Sequence, residues 1–539
     1  MVRGVIIIVL LNLNCFINSF ALSESSVFDP YDFGAKGDGI TLDTEAIQAA
    51  IDSCYKAGGG KVYLHGGKFI SGTLYMKDHV SLYIESGAVL KASNNLEHFP
   101  SISSAYPSYQ KTMETNKMLI YAEGAKHISI TGRGVIDGNG DYWVDGPFGS
   151  PSFSKRPKII HFRNSHNILI RDVTLYNSAS WVQSYQSCSN IVIEGITVDS
   201  RENKDIEKPR FADVPHRNTD GLDLVDCQQV RISNCFINAG DDGICIKSLS
   251  PDEGSRDITI TNCIISTNAS GIKIGTETAG KIEDITVKNC VVYDTRVDAI
   301  SIMTVDGSQV ERINISDITC RNIKGSAIFI RLGSRFRTYR ENAKINSPHL
   351  KDVIIENIQG VRIGHSCIIA GVGNAPVENI FLRNINLEFE GGGKSAQSYL
   401  AVPQKEDAYP NSLIFGDLPS YGFYIRYAKN IIFENIQLRV INEDERPAIY
   451  TDGVEQVEIK GLKAEASFNS PELIRLVSSR GLIISQSRST TPVSVFVSIY
   501  GQNSGNIILQ NNPFSNAKDM AILKDFANRK SLKIEKNDK

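Results

Sequence analysis

A short apolar segment flanked by asparagine or aspartate recurs along most of the chain. Clear copies begin at positions 167 (NILIRDV), 190 (NIVIEGI), 352 (DVIIENI) and 430 (NIIFENI). Such self-similarity indicates a stack of equivalent units. Because the copies are short and β-branched and no long helices alternate with them, they predict an all-β parallel β-helix. A propeller is the alternative, although its four-stranded blades need longer repeats.

The repeat organises most of the 539 residues into one domain. We expect a β-helix over residues 94–515, preceded by a cap and first coils over 22–93 and followed by a tail over 516–539. Apolar residues between positions 43 and 57 have helical spacing, and three glycines follow them. This segment predicts a helix that caps the open N-terminal end of the stack, where core and strand edges are otherwise exposed.

The first 21 residues have the organisation of a secretory signal peptide. Arg3 precedes an apolar stretch, and the sequence SFA at positions 19–21 is a small-x-small cleavage site. The apolar stretch is too short for a membrane span, and no later segment resembles one. We therefore expect a secreted or periplasmic protein. Its net charge of −3 argues against a nucleic-acid partner.

The cysteines follow the repeat and predict buried thiols. Ten are present, and no CxxC pair occurs among them. A metal or redox cluster is therefore disfavoured. We expect Cys235, Cys263, Cys290 and Cys320 to form one column of small buried side chains, mostly as free thiols.

Five five-residue segments align in a second register. They begin at positions 221, 243, 271, 299 and 327, and their second and fourth residues are always Leu or Ile. These positions should face the core, so the third and fifth should face outward. The residue before each segment is Asp220, Asp242, Ser270, Asp298 or Ser326. Since successive coils lie about 4.8 Å apart, Asp220 and Asp242 should be direct neighbours, with Asp241 beside them.

Three crowded carboxylates suggest acid–base chemistry. They come from the sequences NTDG at 218–221 and GDDG at 240–243. Such groups cannot all ionise cheaply, so one pKa should rise and leave a proton donor beside ionised neighbours. Hydrolysis of a glycosidic bond needs such a pair. The alternative is a structural ladder of Asn and Asp side chains at stacked corners.

These two motifs, together with DFGAKGDG at positions 32–39, resemble the polygalacturonase family, glycoside hydrolase family 28. The resemblance spans nearly the whole chain after the signal peptide. It implies a single-stranded, right-handed parallel β-helix and inverting hydrolysis of a pectin-type chain. It also implies that Asp241 is the general acid, that Asp220 and Asp242 hold the attacking water, and that no metal or other cofactor takes part.

The chain departs from the family where the family binds a uronate carboxylate. A Gly-His-Gly motif is replaced by ASG at positions 269–271, and an Arg-Ile-Lys motif is replaced by SIM at positions 301–303. A desolvated carboxylate needs a cationic partner. We therefore expect Lys273 and Arg331 to bind an acidic group placed differently, with Lys247 as a further candidate. The expected substrate-binding set is Asn218, Lys247, Ser270, Lys273, Ser301 and Arg331.

Long segments interrupt the repeat at 94–117, 141–158, 201–217, 335–349 and 391–421. Such insertions usually build groove walls. They favour a partly closed groove, and hence action at chain ends or on short oligosaccharides.

These observations favour a monomeric glycoside hydrolase whose partner is a pectic or related acidic polysaccharide. A rhamnogalacturonan or substituted backbone is favoured over plain polygalacturonan because the two cations are missing. One alternative is a β-helix polysaccharide lyase, in which the aspartates would bind Ca²⁺ and a basic residue would abstract a proton. The other is a non-catalytic carbohydrate-binding β-helix.

Overall fold

The computed structural model of the chain describes residues 26–102, 117–145, 155–201, 218–340, 342–529 and 532–535. The expected signal peptide lies outside these ranges. Within them, α-helices span Thr44–Lys56 and Gly140–Asp145, and short 3₁₀ helices span Pro30–Phe33, Leu96–His98, Ser395–Tyr399 and Ser412–Phe415. In this part of the chain, neither α-helix is long and apolar enough to cross a membrane.

The described strands form two parallel sheets, one of 15 strands and one of 27. We call the smaller one the site sheet, because the acidic cluster lies at the N-terminal ends of its interior strands Leu222–Val225 and Ile244–Ser248. Its strands are Leu74–Tyr75, Met118–Glu123, Lys158–Arg163, Gln183–Gln186, Leu222–Val225, Ile244–Ser248, Ile272–Thr278, Ile300–Thr304, Ile328–Leu332, Cys367–Ala370, Phe423–Arg426, Ile449–Asp452, Ile474–Val477, Val493–Tyr500 and Ala517–Lys524.

The larger sheet supplies the other walls of the solenoid. Its strands are Val27–Phe28, Asp38–Leu42, Gly60–Leu64, Lys68–Ser71, Val80–Ile84, Val89–Ala92, Lys126–Gly132, Val135–Asp137, His166–Arg171, Thr174–Tyr176, Ser189–Glu194, Thr197–Asp199, Gln228–Ser233, Phe236–Ala239, Gly254–Thr261, Ile264–Thr267, Lys281–Thr295, Gln309–Ser326, His349–His365, Val377–Gly391, Ala428–Asn442, Glu455–Lys460, Lys463–Ala464, Arg480–Ser485, Arg488–Ser489, Gly505–Gln510 and Leu532–Glu535.

Each turn of the chain adds one strand to the site sheet, which defines a right-handed parallel β-helix. The register confirms the alignment expected from the sequence. Leu222 pairs with Ile244, Ile244 with Ile272, Ile272 with Ile300, and Ile300 with Ile328. These side chains are buried in one continuous core that extends through the coils. Stacking of the coils therefore places the alternating Leu and Ile residues of successive strands in one buried column.

Asparagines at the corners of the larger sheet stabilise the stack. Asn234, Asn262 and Asn289 have φ angles of 58°, 57° and 55°, a left-handed conformation that Asn tolerates better than most residues. The Nδ2 atom of Asn262 donates to Oδ1 of Asn234 at 3.2 Å, and that of Asn289 donates to Oδ1 of Asn262 at 2.8 Å. The recurring corner residues therefore form the side-chain ladder that their spacing suggests, on a different wall from the acidic cluster.

The expected N-terminal helix forms at Thr44–Lys56 and buries the apolar side that the sequence indicates. Ile47, Ala50, Ile51 and Cys54 are buried, and the helix packs against the first strands of the stack. Asp43, just before it, accepts from the backbone N–H groups of residues 36 and 37 at 2.7 and 3.1 Å. The glycine-rich turn around residues 36 and 37 is thus tied to the beginning of the helix.

The ladders continue through the expected C-terminal tail. Ala517–Lys524 pairs with Val493–Tyr500, and Leu532–Glu535 pairs with Gly505–Gln510. The segment from residue 516 onward therefore carries two more strands of the stack.

The cysteine column is shorter than expected. Nine cysteines in the described residues are buried and free, as predicted. Cys320, however, pairs in register with Val292, whereas the place beside Cys290 is taken by Ile318. The expectation of a four-cysteine column is therefore wrong for Cys320, because this residue follows its corner aspartate by three positions and the others follow their corner asparagine directly.

Candidate active site

Two columns of outward-facing residues form the floor of the candidate site. The first follows the residues just before the strands of the site sheet, by extension of the observed register: Lys158, Trp181, Asp220, Asp242, Ser270, Asp298 and Ser326. The second lies three positions further along the chain on each coil: His161, Ser184, Asp223, Cys245, Lys273, Ser301 and Phe329. Asp220 and Asp242 are therefore neighbours on successive coils, as the sequence predicts.

The three aspartates of the two motifs lie together and are largely buried. Asp241 is 7% exposed, compared with 4% for Asp220 and 3% for Asp242. The backbone N–H of Asn218 donates to Oδ2 of Asp241 at 3.2 Å. The Asn218 side chain in turn accepts from Nη2 of Arg156 at 3.0 Å. Asn218, expected to bind substrate, thus also links Asp241 to the preceding coils.

Lys273 is the direct partner of Asp242. Its Nζ atom lies 2.6 Å from Oδ2 of Asp242, and the backbone N–H of Ser270 donates to Oδ1 at 3.0 Å. Nζ also donates to the hydroxyl of Tyr409 at 3.1 Å. Burial alone would lower the pKa of Lys273, but Asp242, with smaller contributions from Tyr409 and Cys245, holds this pKa well above its usual range. Lys273 therefore supplies a fixed positive charge to one of the three aspartates.

Lys247 is surrounded by three other carboxylates. Its Nζ atom lies 3.0 Å from Oδ1 of Asp223, 3.6 Å from Oδ2 of Asp220 and 3.3 Å from Oε2 of Glu277. Burial would lower the pKa of Lys247, but Asp223 and Glu277 hold it well above its usual value. Burial would likewise raise the pKa of Glu277, but Lys247 and other nearby cations lower it to about 2. Lys247 is thus the central cation of the cluster.

The raised carboxyl pKa expected from crowding is found at Asp220. Burial, followed by the charge of Asp223, holds the pKa of Asp220 well above its usual value, and Lys247 only partly offsets this. Burial also raises the pKa of Asp223 to about 6. Burial thus favours the neutral form of Asp220, which the family resemblance assigns to the pair that holds water.

Asp223 and Glu277 belong to the cluster but were not among the expected site residues. Asp223 stands at an outward position of its segment, and this pattern alone could have identified it. The strands Ile244–Ser248 and Ile272–Thr278 pair regularly up to residue 246, and their register shifts between residues 246 and 248. Glu277 lies beyond this shift, so extending the regular alignment of the coils could not predict its position.

Trp181 is a further residue that sequence reasoning missed. It stands one coil before Asp220 in the first column and is partly exposed. The Nζ atoms of Lys158 and Lys247 lie 4.7 and 4.3 Å from its ring centroid. Both ammonium groups are within range of a cation–π interaction. An aromatic ring flanked by cations thus adjoins the carboxylates.

The positions where the family has Arg and Lys are occupied quite differently here. The hydroxyl of Ser301 donates to Oδ2 of Asp298 at 3.1 Å and lies 3.4 Å from Oγ of Ser270. Met303 is buried in a small apolar cluster with Phe329 and Phe415. Neither position presents a charge, so the local chemistry differs from that of the resembling family.

Arg331 lies deeper than the expectation of a substrate ligand suggests. It is 2% exposed, and it donates to the backbone carbonyls of Gly371 at 3.1 Å and Gln404 at 2.8 Å. Burial lowers its pKa to about 10. In this structure Arg331 holds two chain segments together, and its role in binding substrate stays a prediction.

One group of side chains in the described residues has donor atoms close enough to share a metal ion. Asp220, Asp223 and Cys245 offer ligand atoms within 4.8 Å of one another. A thiol is a poor ligand for Ca²⁺, which prefers oxygen. The ammonium of Lys247 also contacts both carboxylates. The donor set therefore does not match the calcium site that a lyase of this fold would need.

The comparisons with known proteins decide the family. Residues 76–408 match the profile described as Glycosyl hydrolases family 28, which covers more than half of the chain. The chain belongs to glycosyl hydrolase family 28. It is therefore a glycoside hydrolase, a class that acts on O-glycosidic bonds.

Named relatives in the family include enzymes with different modes of action. A probable polygalacturonase of Vitis vinifera is 28% identical over 67% of this chain and 74% of the relative. An endo-polygalacturonase of Pectobacterium carotovorum is 25% identical over 65% of this chain and 85% of the relative. The structure of a Yersinia enterocolitica family 28 exopolygalacturonase matches with a TM-score of 0.61 at 20% identity, over 81% of this chain and 78% of that chain. The structural match supports the fold alone.

Proposed function

We propose that this family 28 enzyme is secreted and hydrolyses a pectic or related acidic polysaccharide with inversion of configuration. The observation that carries the proposal is the stacking of Asp220 and Asp242 with Asp241 beside them. Asp241, the most exposed of the three, is the general acid. Asp220 and Asp242 hold and activate the attacking water, and Lys273 orients Asp242 through their 2.6 Å contact.

Polygalacturonase relatives support a pectic substrate, and Trp181 supports contact with a sugar ring. Its side chain is partly exposed beside the carboxylates, and the ammonium groups of Lys158 and Lys247 lie against the ring. The uncharged Ser301 and buried Met303 favour a backbone other than plain polygalacturonan, such as a rhamnogalacturonan or a substituted chain. A sugar lying over Trp181 would adjoin Asp220 on the next coil, which is the placement that hydrolysis at the aspartates requires.

Release of reducing ends from a panel of pectic polysaccharides tests the proposal. Wild-type enzyme should act on at least one polymer, and Asp241→Asn should abolish that action. Proton NMR of the first product should show the inverted anomer. A product that absorbs in the ultraviolet and needs Ca²⁺ would instead establish a lyase, and binding without cleavage would establish a non-catalytic role. Secretion is tested by following the mature N-terminus in the cell-free fraction of an expressing culture.

A further inference from the structure

Of the three carboxylates that contact Lys247, Glu277 is the most exposed. Its side chain is 20% exposed, whereas those of Asp220 and Asp223 are at most 5% exposed. Nζ of Lys247 lies 3.3 Å from Oε2 of Glu277 and 3.6 Å from Oδ2 of Asp220. Glu277 and the proposed water-binding Asp220 thus contact the same ammonium group. A sugar bound at the aspartates is therefore also within reach of Glu277.

A bulge in the site sheet places Glu277 beside Lys247. Ile246 pairs with Ile274, and the next pair is Ser248 with Thr278. Position 247 therefore stands alone opposite positions 275–277. Extra residues on one strand turn a side chain in a new direction, and such bulges are frequent beside active sites. The bulge thus carries the carboxylate of one coil to the ammonium group of the coil before it.

Contacts from later coils fix the bulge on both sides of Glu277. Nη2 of Arg335 donates to the carbonyl of Thr276 at 3.4 Å. Oδ2 of Asp306 accepts from the backbone N–H of Thr278 at 3.4 Å. Arg335 and Asp306 are themselves an ion pair, and their side chains are at most 4% exposed. Glu277 is therefore held in place by a buried network.

The bulge packs against Met303, which stands where the resembling family has a lysine. Gly275 has a φ angle of 116°, a conformation that favours glycine. A Cβ atom added to Gly275 would also overlap the side chain of Met303. Position 303 thus offers no charge to a substrate, and the bulge that lies on it presents a carboxylate in its place.

The charge of Glu277 decides what this carboxylate can bind. Burial would raise its pKa, but Lys247, followed by Arg335 and Lys273, lowers it to about 2, so the group is ionised at neutral pH. An ionised carboxylate accepts hydrogen bonds from sugar hydroxyls and repels a second carboxylate. It also neutralises the charge of Lys247. A uronate carboxylate at this point would therefore meet repulsion instead of a cationic partner.

We propose that Glu277 is a specificity-determining residue that accepts only an uncharged sugar unit beside Lys247. This unit is a neutral sugar or a uronate with an esterified carboxyl group, and its hydroxyls donate to Glu277. The inference rests on the proposed function and names the class of sugar at one place in the polymer. Other units of the same polymer can carry free carboxylates, as the uronates of a rhamnogalacturonan do.

Binding of matched oligosaccharides tests the inference. Calorimetry gives Kd of the Asp241→Asn variant for a methyl-esterified galacturonan octamer, for the same octamer after removal of the esters, and for a rhamnogalacturonan oligomer of equal length. We expect the free-acid octamer to bind at least about 10-fold more weakly than the better of the other two. Tight binding of the esterified octamer identifies an esterified uronate, and tight binding of the rhamnogalacturonan alone identifies a neutral sugar. Equal affinity for the free acid, or no binding of either alternative, would overturn the inference.

Glu277→Gln, added to this variant, tests the cause. The amide keeps the size of the side chain and can still accept from a hydroxyl, but the charge is gone. Kd for the free-acid octamer should fall by about 10-fold, while Kd for the better of the other two ligands stays within about 3-fold. Loss of a purely structural residue would instead weaken all ligands alike. An unchanged ratio of the two Kd values would contradict the assignment to Glu277.

Two further variants serve as controls. Glu277→Asp keeps the charge and should keep the preference against the free acid. Glu194→Gln removes a like charge from a side chain that is 38% exposed on the larger sheet, and it should leave the ratio unchanged. Lys247 retains Asp220 and Asp223 as partners in the Gln variant, and a thermal melt checks that the fold is kept.

Hydrolysis and the inference fail in different ways. Absence of reducing ends from every polymer would reject the proposed function, while the ratio of Kd values would still test Glu277. Cleavage of de-esterified galacturonan at least as fast as esterified galacturonan and rhamnogalacturonan would overturn the inference and leave the proposed hydrolysis intact.

Discussion

The ammonium of Lys273 lies 2.6 Å from Oδ2 of Asp242, and both side chains are at most 4% exposed. A buried ion pair of this kind is costly to break, because the remaining charge has no compensating partner. We expect Lys273→Met to lower kcat by about 10²-fold or more through loss of Asp242 orientation. Tyr409→Phe removes only the second partner of the ammonium and should cost less than about 10-fold. Initial rates give the loss of kcat in both variants, and thermal melts show whether each variant is folded. The control is Asp257→Asn, at a half-exposed side chain. Equal activity of Lys273→Met and wild type would contradict the assigned role.

The second prediction concerns the proposed general acid. Asp241→Asn keeps the shape of the side chain and can still accept from Asn218, but it has no proton to donate to the leaving oxygen. We expect kcat to fall by about 10²–10⁴-fold, with a much smaller change in binding. Reducing-end assays give kcat, and binding of the intact oligosaccharide by calorimetry gives the affinity. If Asp220→Asn were inactive and Asp241→Asn were active, the roles of the two residues would have to be exchanged.

Lys247→Met tests the central cation. The change leaves Asp220, Asp223 and Glu277 buried without their shared ammonium, and it should destabilise the protein by about 3–5 kcal/mol at neutral pH. The loss should shrink at pH 4–5, because carboxyl groups that have lost their cation become protonated there. Denaturant unfolding at the two pH values measures the difference. A loss that does not depend on pH would mean that packing by the lysine stem, rather than its charge, stabilises the cluster.

We expect the buried Asp226 to make the stability of the protein depend on pH. Burial raises its pKa to about 7 from its ordinary value of 3.8, although Ser248 and the backbone N–H of Leu249 donate to it at 2.5 and 3.1 Å. Because the folded-state pKa exceeds that of the unfolded chain, the stabilising contribution is complete below pH ~4 and is lost as the pH rises through about 7. We expect Tm to fall between pH 5 and pH 8.

Asp226→Asn isolates this contribution. Its amide can accept from Leu249 and donate to Ser248, so the hydrogen bonds are kept while the titration is removed. The decline of Tm with pH should become shallower, by the equivalent of about 2–4 kcal/mol across the range. Asp223, whose burial raises its pKa to about 6, accounts for part of the slope that remains. An identical pH profile in wild type and variant would exclude Asp226 as its source.

Trp181 gives a test of substrate recognition. Trp181→Ala should raise KM for the polymer by about 5- to 30-fold, because it removes an aromatic face worth 1–2 kcal/mol. Trp181→Phe should keep most of the affinity, since a ring remains. The matched control is Tyr176→Ala, which removes an aromatic side chain that is 43% exposed on the larger sheet. An equal effect of Trp181→Ala and Tyr176→Ala on KM would contradict a binding role for Trp181.

The fold and the stacking of the aspartates at the centre of the site could be predicted, because both depend on a local repeat. The alternation of Leu and Ile fixes which residues face inward, and stacking then makes Asp220 and Asp242 neighbours. Asp223 was visible in the same pattern. Glu277 was not, because the pairing becomes irregular before it, and the position of a bulge is set by the fit between coils. The contact of Lys273 with Tyr409 joins residues 136 positions apart, and no period relates the segment 392–422, which carries Tyr409, to the coils that it contacts.

The outward-facing residues of the site sheet are regularly spaced along the direction of a bound substrate. Each coil advances by about 4.8 Å, comparable with the length of one sugar ring, so a charge placed on the next coil faces the next stretch of polymer while the path of the chain stays the same. This protein has its lysines at positions 247 and 273 and neutral residues at 301 and 303. On such a scaffold, substitution of single outward-facing residues can change which sugar is recognised, while the loops and the fold stay the same.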